Sequence, residues 1–349
     1  MNAGKAIRRV AWVLMVLVLA LGAGEMYLRA AGRCTTWSER SYGVYAPMAE
    51  CLPSWLSARE PNRKGWYDNR EFRFALDTNS LGVRDREHPR EKPAGEFRVA
   101  VLGDSFTEGV GAAFEDAWFR KLEALLNARA RPGIRFSVIS GAVAGSDPFY
   151  SFQMLAQRLL AWRPDLVILA LGENDVVDVA RRGGMERFRP DGTVRVPSPV
   201  PAEWLFRRSR LYRYVFLGIL GRNENLVDPV RFEGMEARAR EELFALVPQF
   251  GDLCRKRGAA FVAVAYPQGY EVGTGEYLPK FSPLVRRLES SGERVMNLLP
   301  SFLRAVEHGV APGDLYWPVD RHYNARGYEI FARAVADGLA REGLAPVSP

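Results

Sequence analysis

The sequence predicts an α/β protein, a three-layer α/β/α sandwich around a mostly parallel sheet. Three observations carry that prediction. From residue 96 onward, short apolar runs alternate with amphipathic stretches, the pattern of strands joined by helical crossovers. The runs are apolar throughout, as in Leu166 to Leu171, which suits strands covered on both faces. Polar, glycine-bearing segments follow the runs, where an open parallel sheet receives its ligands.

The elements follow in order. Strand 97–102 leads to a helix over 116–129, whose Trp118, Phe119, Leu122, Leu125 and Leu126 share one face. Strand 134–139 leads through Gly141 and Gly145 to a helix over 149–162, and strand 165–171 follows. Residues 178–230 break the rhythm and read as an insertion, with a hairpin turn at Arg189-Pro190-Asp191-Gly192-Thr193 and a helix over 204–220. The alternation resumes with helix 232–257 (kinked near Pro248), strand 260–266, helix 283–290, strand 294–299 and helix 325–341. The chain thus divides into an N-terminal segment over 1–32, a polar, Pro- and Arg-rich lead over 33–95, and a main domain over 96–345. The lead shows one β-like patch, Phe72 to Leu76, and a turn at Asn79-Ser80-Leu81-Gly82.

Charge locates the N-terminal signal. Of the net charge of +7, more than half comes from residues 1–33, where Lys5, Arg8, Arg9, Arg29 and Arg33 face only Glu25. Lys5, Arg8 and Arg9 precede an uncharged run from Val10 to Gly24. That run is short for a full span and within the range of a signal-peptide core. Extended through Ala31 it reaches spanning length but takes in Glu25 and Arg29, placed to snorkel to the interface. Ala20, Gly22, Ala23 and Gly24 offer cleavage positions, whereas Ala31-Gly32-Arg33-Cys34 lacks the small residue expected before a lipidated cysteine. The segment reads as an uncleaved signal anchor, with a cleaved signal peptide as the alternative and a buried core helix last. In either export reading the basic end stays in the cytoplasm and the main domain lies outside. With that positive charge set aside, the rest is nearly balanced and carries no basic stripe interleaved with aromatics, so no nucleic-acid partner is expected. Cys34 and Cys51 are candidates for a disulfide in an oxidising compartment, while Cys254 reads as a buried side chain on a helix. With three histidines and no Cys/His spacing of the metal-binding kind, neither a metal nor a cofactor is expected.

The most informative stretch is Val99 to Gly111, V-A-V-L-G-D-S-F-T-E-G-V-G. A buried strand ends at Gly103 in a tight turn and hands over to a helix at Ser105. That leaves a hydroxyl beside the free N–H groups of a helix start, a favourable place for a nucleophile. Other strand ends deliver Ser140, Gly141 and Gly145, then Gly172-Glu173-Asn174-Asp175, and Asp320-Arg321-His322 precedes the last helix.

In order, these segments resemble the blocks of the SGNH (GDSL) hydrolase family. Gly103-Asp104-Ser105 resembles its serine block, Gly145 within Ala142-Val143-Ala144-Gly145-Ser146 its glycine block, Gly172-Glu173-Asn174-Asp175 its G-x-N-D block, and Asp320-Arg321-His322 the block of acid and base. The likeness spans residues 96–342 and implies a flavodoxin-like sheet. It implies Ser105 as nucleophile, His322 as base and Asp320 as the acid that orients it. It also implies an oxyanion hole of the Ser105 and Gly145 backbone N–H groups and the Asn174 amide. Gly141 is the alternative backbone donor. Many family members space acid and base D-x-x-H; here one residue intervenes, as in related envelope acyltransferases. An extended segment would place Asp320 and His322 on one face. The expected function is a serine-dependent esterase that removes acetyl or other small acyl groups from a cell-envelope glycan. It would be held on the outer, periplasmic face of a bacterial cytoplasmic membrane or secreted after cleavage. The alternative is an O-acetyltransferase that moves the acyl group to a polysaccharide hydroxyl, and a third reading is a non-catalytic envelope binding module.

The remaining polar residues have simpler readings. Asp104 caps the helix start, and Glu173 and Asp175 are loop or capping carboxylates. His308 lies near a helix end, where a cation suits the dipole, and His88 in the lead reads as a surface residue. No G-x-S-x-G elbow and no G-x-x-x-x-G-K-[ST] loop is present. The insertion carries Trp204, Phe206, Tyr212, Tyr214 and Phe216 with Arg207, Arg208, Arg210 and Arg213. It reads as a lid or acceptor-binding surface, as an interfacial membrane helix, or as a satellite core with solvated arginines.

Overall fold

A computed structural model describes residues 3–31, 41–42, 61–188, 205, 208–219 and 229–348. The Cys34–Cys51 pair, the 189–193 turn, Trp204, Phe206 and Arg207 lie outside the described residues. The chain divides into two compact units, Met1–Arg40 with Pro197–Asp228, and Ser41–Val196 with Pro229–Pro349.

The first unit is built on helix α1 (Ala3–Ala30), which carries an apolar, outward-facing surface from Ile7 to Leu21. At 28 residues it is about 42 Å long, enough to cross a bilayer's hydrocarbon core. Glu25 and Arg29 do not simply reach outward. Arg29 Nε donates to Glu25 Oε1 at 2.7 Å, and the carboxylate accepts the Ser209 hydroxyl at 2.9 Å and the Leu211 N–H at 2.8 Å. Within 204–220, the described residues hold a short α-helix, Arg210–Arg213, that runs into a π-helical turn, Tyr214–Ile219.

The second unit holds five parallel strands, β4 (Glu96–Leu102), β5 (Arg135–Ser140), β6 (Leu166–Leu171), β7 (Ala260–Ala265) and β8 (Val295–Asn297). Their order, β5-β4-β6-β7-β8, is the flavodoxin-like arrangement in which the chain's second core strand lies outside its first. Register is set by pairs such as Val99 with Val138 on one side and Leu166 on the other. Side chains alternate along β4 and so build two cores. Val99 and Val101 pack with Trp118, Leu122 and Leu126 of the helix Trp118–Ala128 and with Phe331 and Val335 of the last helix, Ala325–Arg341. Ala100 and Leu102 face Leu155 of helix Pro148–Gln157, Val176 of helix Glu173–Arg182, and Leu246 and Phe250 of the long helix Pro229–Arg255. The result is the predicted α/β/α sandwich.

Among the described residues, three α-helices were not predicted. Glu173–Arg182 begins inside the G-x-N-D motif, where Asp175 takes the capping rather than the loop reading: its carboxylate accepts the Gly172 N–H at 2.7 Å and starts the helix there. Leu299–Glu307 cuts short the strand expected over 294–299, with Pro300 in its first turn, where proline's fixed φ is pre-set for a helix. Gly269–Thr274 is too short to show a period.

The lead segment contributes more than its composition suggests. Strands β1 (Ser41–Tyr42), β2 (Trp66–Asp68) and β3 (Arg73–Ala75) form an antiparallel sheet. Tyr67, Phe74, Leu76 and Val83 are buried. Arg84 is 1% exposed and ties this segment to the main sheet. Its guanidinium lies 4.3 Å from the Phe74 ring centroid and donates to Gly109 O at 2.8 Å and Ala112 O at 2.9 Å. Hydrogen bonds to several backbone carbonyls offset part of the cost of burying that charge, and composition cannot reveal them.

Candidate active site

The serine stands where strand β4 ends. Gly103 takes φ +152, and a Cβ there would meet the Thr107 side chain, so the strand-to-helix turn closes only around glycine. Asp104 then caps the short helix Ser105–Glu108, accepting the Phe106 N–H at 2.9 Å. This leaves the Ser105 N–H at the helix start with no partner among the described residues.

Ser105, His322 and Asp320 meet. His322 Nε2 lies 2.7 Å from Ser105 Oγ, and His322 Nδ1 lies 2.5 Å from Asp320 Oδ1. The Phe106 ring packs against the imidazole, with centroids 4.7 Å apart, and limits its rotation. The route from acid to base differs from the extended one expected. Arg321 adopts φ +73, and its N–H donates to Trp317 O at 3.0 Å, while Trp317 N donates to His322 O at 2.9 Å. The segment is a tight turn, and the left-handed residue at its centre lets carboxylate and imidazole meet across a single intervening position. Desolvation would raise the Asp320 carboxyl. The hydrogen bond and charge of His322, with the Asn69 amide, outweigh it and hold Asp320 below the usual carboxylate value.

The predicted oxyanion donors line the same region. Gly145 sits at φ +75 in a turn closed by Ser146 N to Val143 O at 3.0 Å, and its own N–H has no partner among the described residues. The turn is pinned beside the Gly103–Ser105 segment by Val143 N to Gly103 O and by Ser146 Oγ to Gly103 O, each 3.3 Å. Gly141, the alternative donor, is ruled out because its N–H is spent on Val101 O at 2.8 Å in the sheet. Asn174 Nδ2 donates one hydrogen to Asp104 Oδ2 at 2.5 Å, which leaves its second hydrogen for a ligand. Its Oδ1 accepts Gln268 Nε2 at 3.1 Å and lies 3.3 Å from the Tyr266 hydroxyl, which fixes the amide's orientation.

Asp104 therefore does more than cap. It is 2% exposed, and burial raises its carboxyl, opposed by the bonds from Asn174 and Phe106 and by the charge of His322. Asp175 is raised further, by burial and by the neighbouring charge of Asp104. Glu108 is fully buried and accepts the Ala144 N–H at 2.5 Å, so it supports the turn that carries Gly145. Gln268 and Tyr266 follow strand β7, a strand end from which the sequence reading took no residue; the strand-end criterion itself would have found them.

Two histidine readings divide. His308 Nδ1 lies 2.6 Å from Arg304 O at a helix end, as expected. His88 is not a surface residue. Its side chain is 4% exposed, held 3.1 Å from both Asp85 Oδ2 and Ser137 Oγ at the sheet edge. Asp85 is already engaged there by the Ser140 N–H at 2.8 Å, so this group braces the lead segment against strand β5. Cys254 is buried on its helix, and burial pushes its thiol up to about 12, an unreactive value.

A family model described as the GDSL-like lipase/acylhydrolase family matches residues 101–330, and the chain belongs to that family. A probable alginate O-acetylase of Pseudomonas putida is 27% identical over 135 residues, covering 36% of this chain; the match spans about a third (34%) of that relative's length. Among solved structures, an α/β hydrolase from the metagenome of Lake Arreo is 19% identical with a TM-score of 0.43, covering 73% of this chain and 99% of that one. An acetylxylan esterase of Geobacillus stearothermophilus is 17% identical with a TM-score of 0.42, covering 72% of this chain and 96% of that one.

Proposed function

We propose that the protein is a serine-dependent acyl-transfer enzyme that acts as an esterase through an acyl-Ser105 intermediate. The observation that supports this is the continuous path from Ser105 Oγ through both nitrogens of His322 to Asp320, at 2.7 Å and 2.5 Å. In the reading proposed, His322 Nε2 takes the hydroxyl proton as Ser105 attacks an ester carbonyl, while Asp320 holds the other nitrogen protonated and steadies the imidazolium. The N–H groups of Ser105 and Gly145 and the Asn174 amide meet the developing oxyanion. His322 then protonates the leaving alcohol, and water, activated by the same imidazole, releases the acid.

The substrate proposed is an acetyl or other small acyl ester on a cell-envelope glycan. Helix α1 is proposed to anchor the chain in the cytoplasmic membrane with the serine site on the outer side; a soluble form after cleavage is the alternative. A second reading, transfer of the acyl group to a polysaccharide hydroxyl, is supported by the match to the probable alginate O-acetylase. Both use the same acyl-enzyme. They separate when acetate release from a chromogenic acetyl ester is measured with and without a deacetylated polysaccharide. An esterase releases acetate at the same rate in both, whereas a transferase releases less and acetylates the polymer. If the folded protein turns over no ester and a serine-directed phosphonate fails to label it, both readings fall to a non-catalytic binding module.

A further inference from the structure

The geometry points to Asn69 and Glu71, at the tip of the β2–β3 hairpin, as positioning residues for the acid of the site. This rests on the acyl-serine reading above. Asp320 sits in an exposed turn, where the neighbouring Val319 is 80% exposed. The turn's own hydrogen bonds use the N–H groups of Trp317 and Arg321 and the carbonyls of Trp317 and His322. Those of Val319 and Asp320 are taken by the hairpin instead. Glu71 Oε1 accepts Val319 N at 2.9 Å, and Glu71 Oε2 accepts Asp320 N at 2.5 Å. Asn69 Nδ2 donates to Asp320 Oδ2 at 3.1 Å, on the opposite oxygen from the one facing His322.

The hairpin tip is itself rigidly built. Asn69 Oδ1 accepts the N–H groups of Glu71 at 2.9 Å and Phe72 at 2.8 Å, and Asn69 N donates to Phe72 O at 3.1 Å. The Phe72 ring packs 5.2 Å from the ring of Trp317, where the acid's turn begins. Arg84 fastens the same segment to Gly109 O, just past the helix that starts at Ser105. Nucleophile and acid are thus referenced to one brace, and that brace precedes residues 101–330, the part matched by the family model. The brace compensates for the single-residue spacing. The turn around a left-handed Arg321 is closed by the bonds Trp317 makes to Arg321 and His322 and is fastened at its base by the Tyr316–Tyr323 bridge and by Trp317 Nε1 to Gly111 O at 2.8 Å. Glu71 and Asn69 hold its Val319–Asp320 end, and without them that end can swing the carboxylate away from the imidazole.

The test is the turnover of p-nitrophenyl acetate by the detergent-solubilised full chain carrying Asn69→Leu or Glu71→Gln. Each variant is expected to lower kcat about tenfold with KM unchanged, the range set by a hydrogen bond to a charged group. In an Asp320→Ala background the same changes are expected to alter kcat by less than about twofold, because their route of action is already gone. Rescue distinguishes position from bulk: Asn69→Ser, which keeps a donor, retains more activity than Asn69→Leu, and it is also the variant measured should the leucine fail to fold. Folded variants with wild-type kcat, or an equal loss in the Asp320→Ala background, overturn the inference. Turnover that survives Ser105→Ala removes the acyl-serine reading itself; turnover abolished by Ser105→Ala but indifferent to Asn69 and Glu71 removes only the brace.

Discussion

Replacing Asn174 with alanine separates two effects that the structure places on one side chain. Its Nδ2 donates to Asp104 at 2.5 Å and has one hydrogen left, the one the proposed oxyanion role would use. Loss of a single oxyanion donor costs about 10²–10³ in kcat, or about 3–4 kcal/mol of transition-state stabilisation. The ground-state ester gains little from the same hydrogen, so KM should barely move. The second effect is structural. Alanine removes the donor to Asp104, a carboxylate that is 2% exposed, and the acceptor for Gln268 Nε2. Leaving buried polar groups short of partners costs about 1–3 kcal/mol of stability, so the melting temperature should fall as well. Gln268→Met is the control. It removes only the bond that orients the Asn174 carbonyl, so kcat should fall about tenfold or less, with the donor itself still present. The assay is steady-state hydrolysis of p-nitrophenyl acetate, alongside thermal unfolding. A folded Asn174→Ala protein whose kcat stays within about threefold of wild type would refute the oxyanion role.

Other expectations follow from the same contacts. Arg84→Met should destabilise by about 1–3 kcal/mol, measured by urea unfolding, because the Gly109 and Ala112 carbonyls are left buried without their donor. Glu108→Leu should lower kcat about tenfold by orphaning the Ala144 N–H beside Gly145, and a wild-type rate would show that this turn holds without it. Glu271 is fully buried, and burial outweighs the N–H groups of Gln268 and Leu278 to push its carboxyl up to about 7. A group raised in the folded state contributes stability fully present below its unfolded value and lost as pH rises through the folded one. Thermal stability should therefore fall between about pH 4.5 and 7, and Glu271→Gln should remove that part of the slope. Asp320 moves the other way. Its depressed carboxyl contributes stability above the ordinary carboxylate range that disappears only as pH falls through the lower folded value.

The sheet was legible because each strand's apolar run is forced by burial on both faces, and a run such as Val99 to Leu102 admits few other readings. Ser105 was legible from its place at a strand end, where a parallel sheet gathers polar groups, and its pairing with His322 and Asp320 from the resemblance of their motifs. Its geometry was not. A positive φ at Arg321 depends on Trp317 and His322 bonding across the turn, and no local preference of arginine announces it. The patch Phe72 to Leu76 was legible as β-like and holds strand β3, but its pairing with β2 and the role of the hairpin tip were hidden for a related reason. Asn69, Glu71 and Arg84 look like surface polars until their partners, more than 200 residues away for Asn69 and Glu71, are known. The helix Leu299–Glu307 was lost because Val295 to Leu299 is apolar enough to extend a strand, and only Pro300 marked the change.

Mass spectrometry of the full chain, quenched during turnover of an acetyl ester, tests the central claim most directly. The account predicts one added acetyl group, mapped to Ser105, absent from Ser105→Ala and formed far more slowly, if at all, when His322 is replaced by alanine. Turnover without any covalent adduct, or an adduct on another residue while Ser105→Ala stays active, would contradict it.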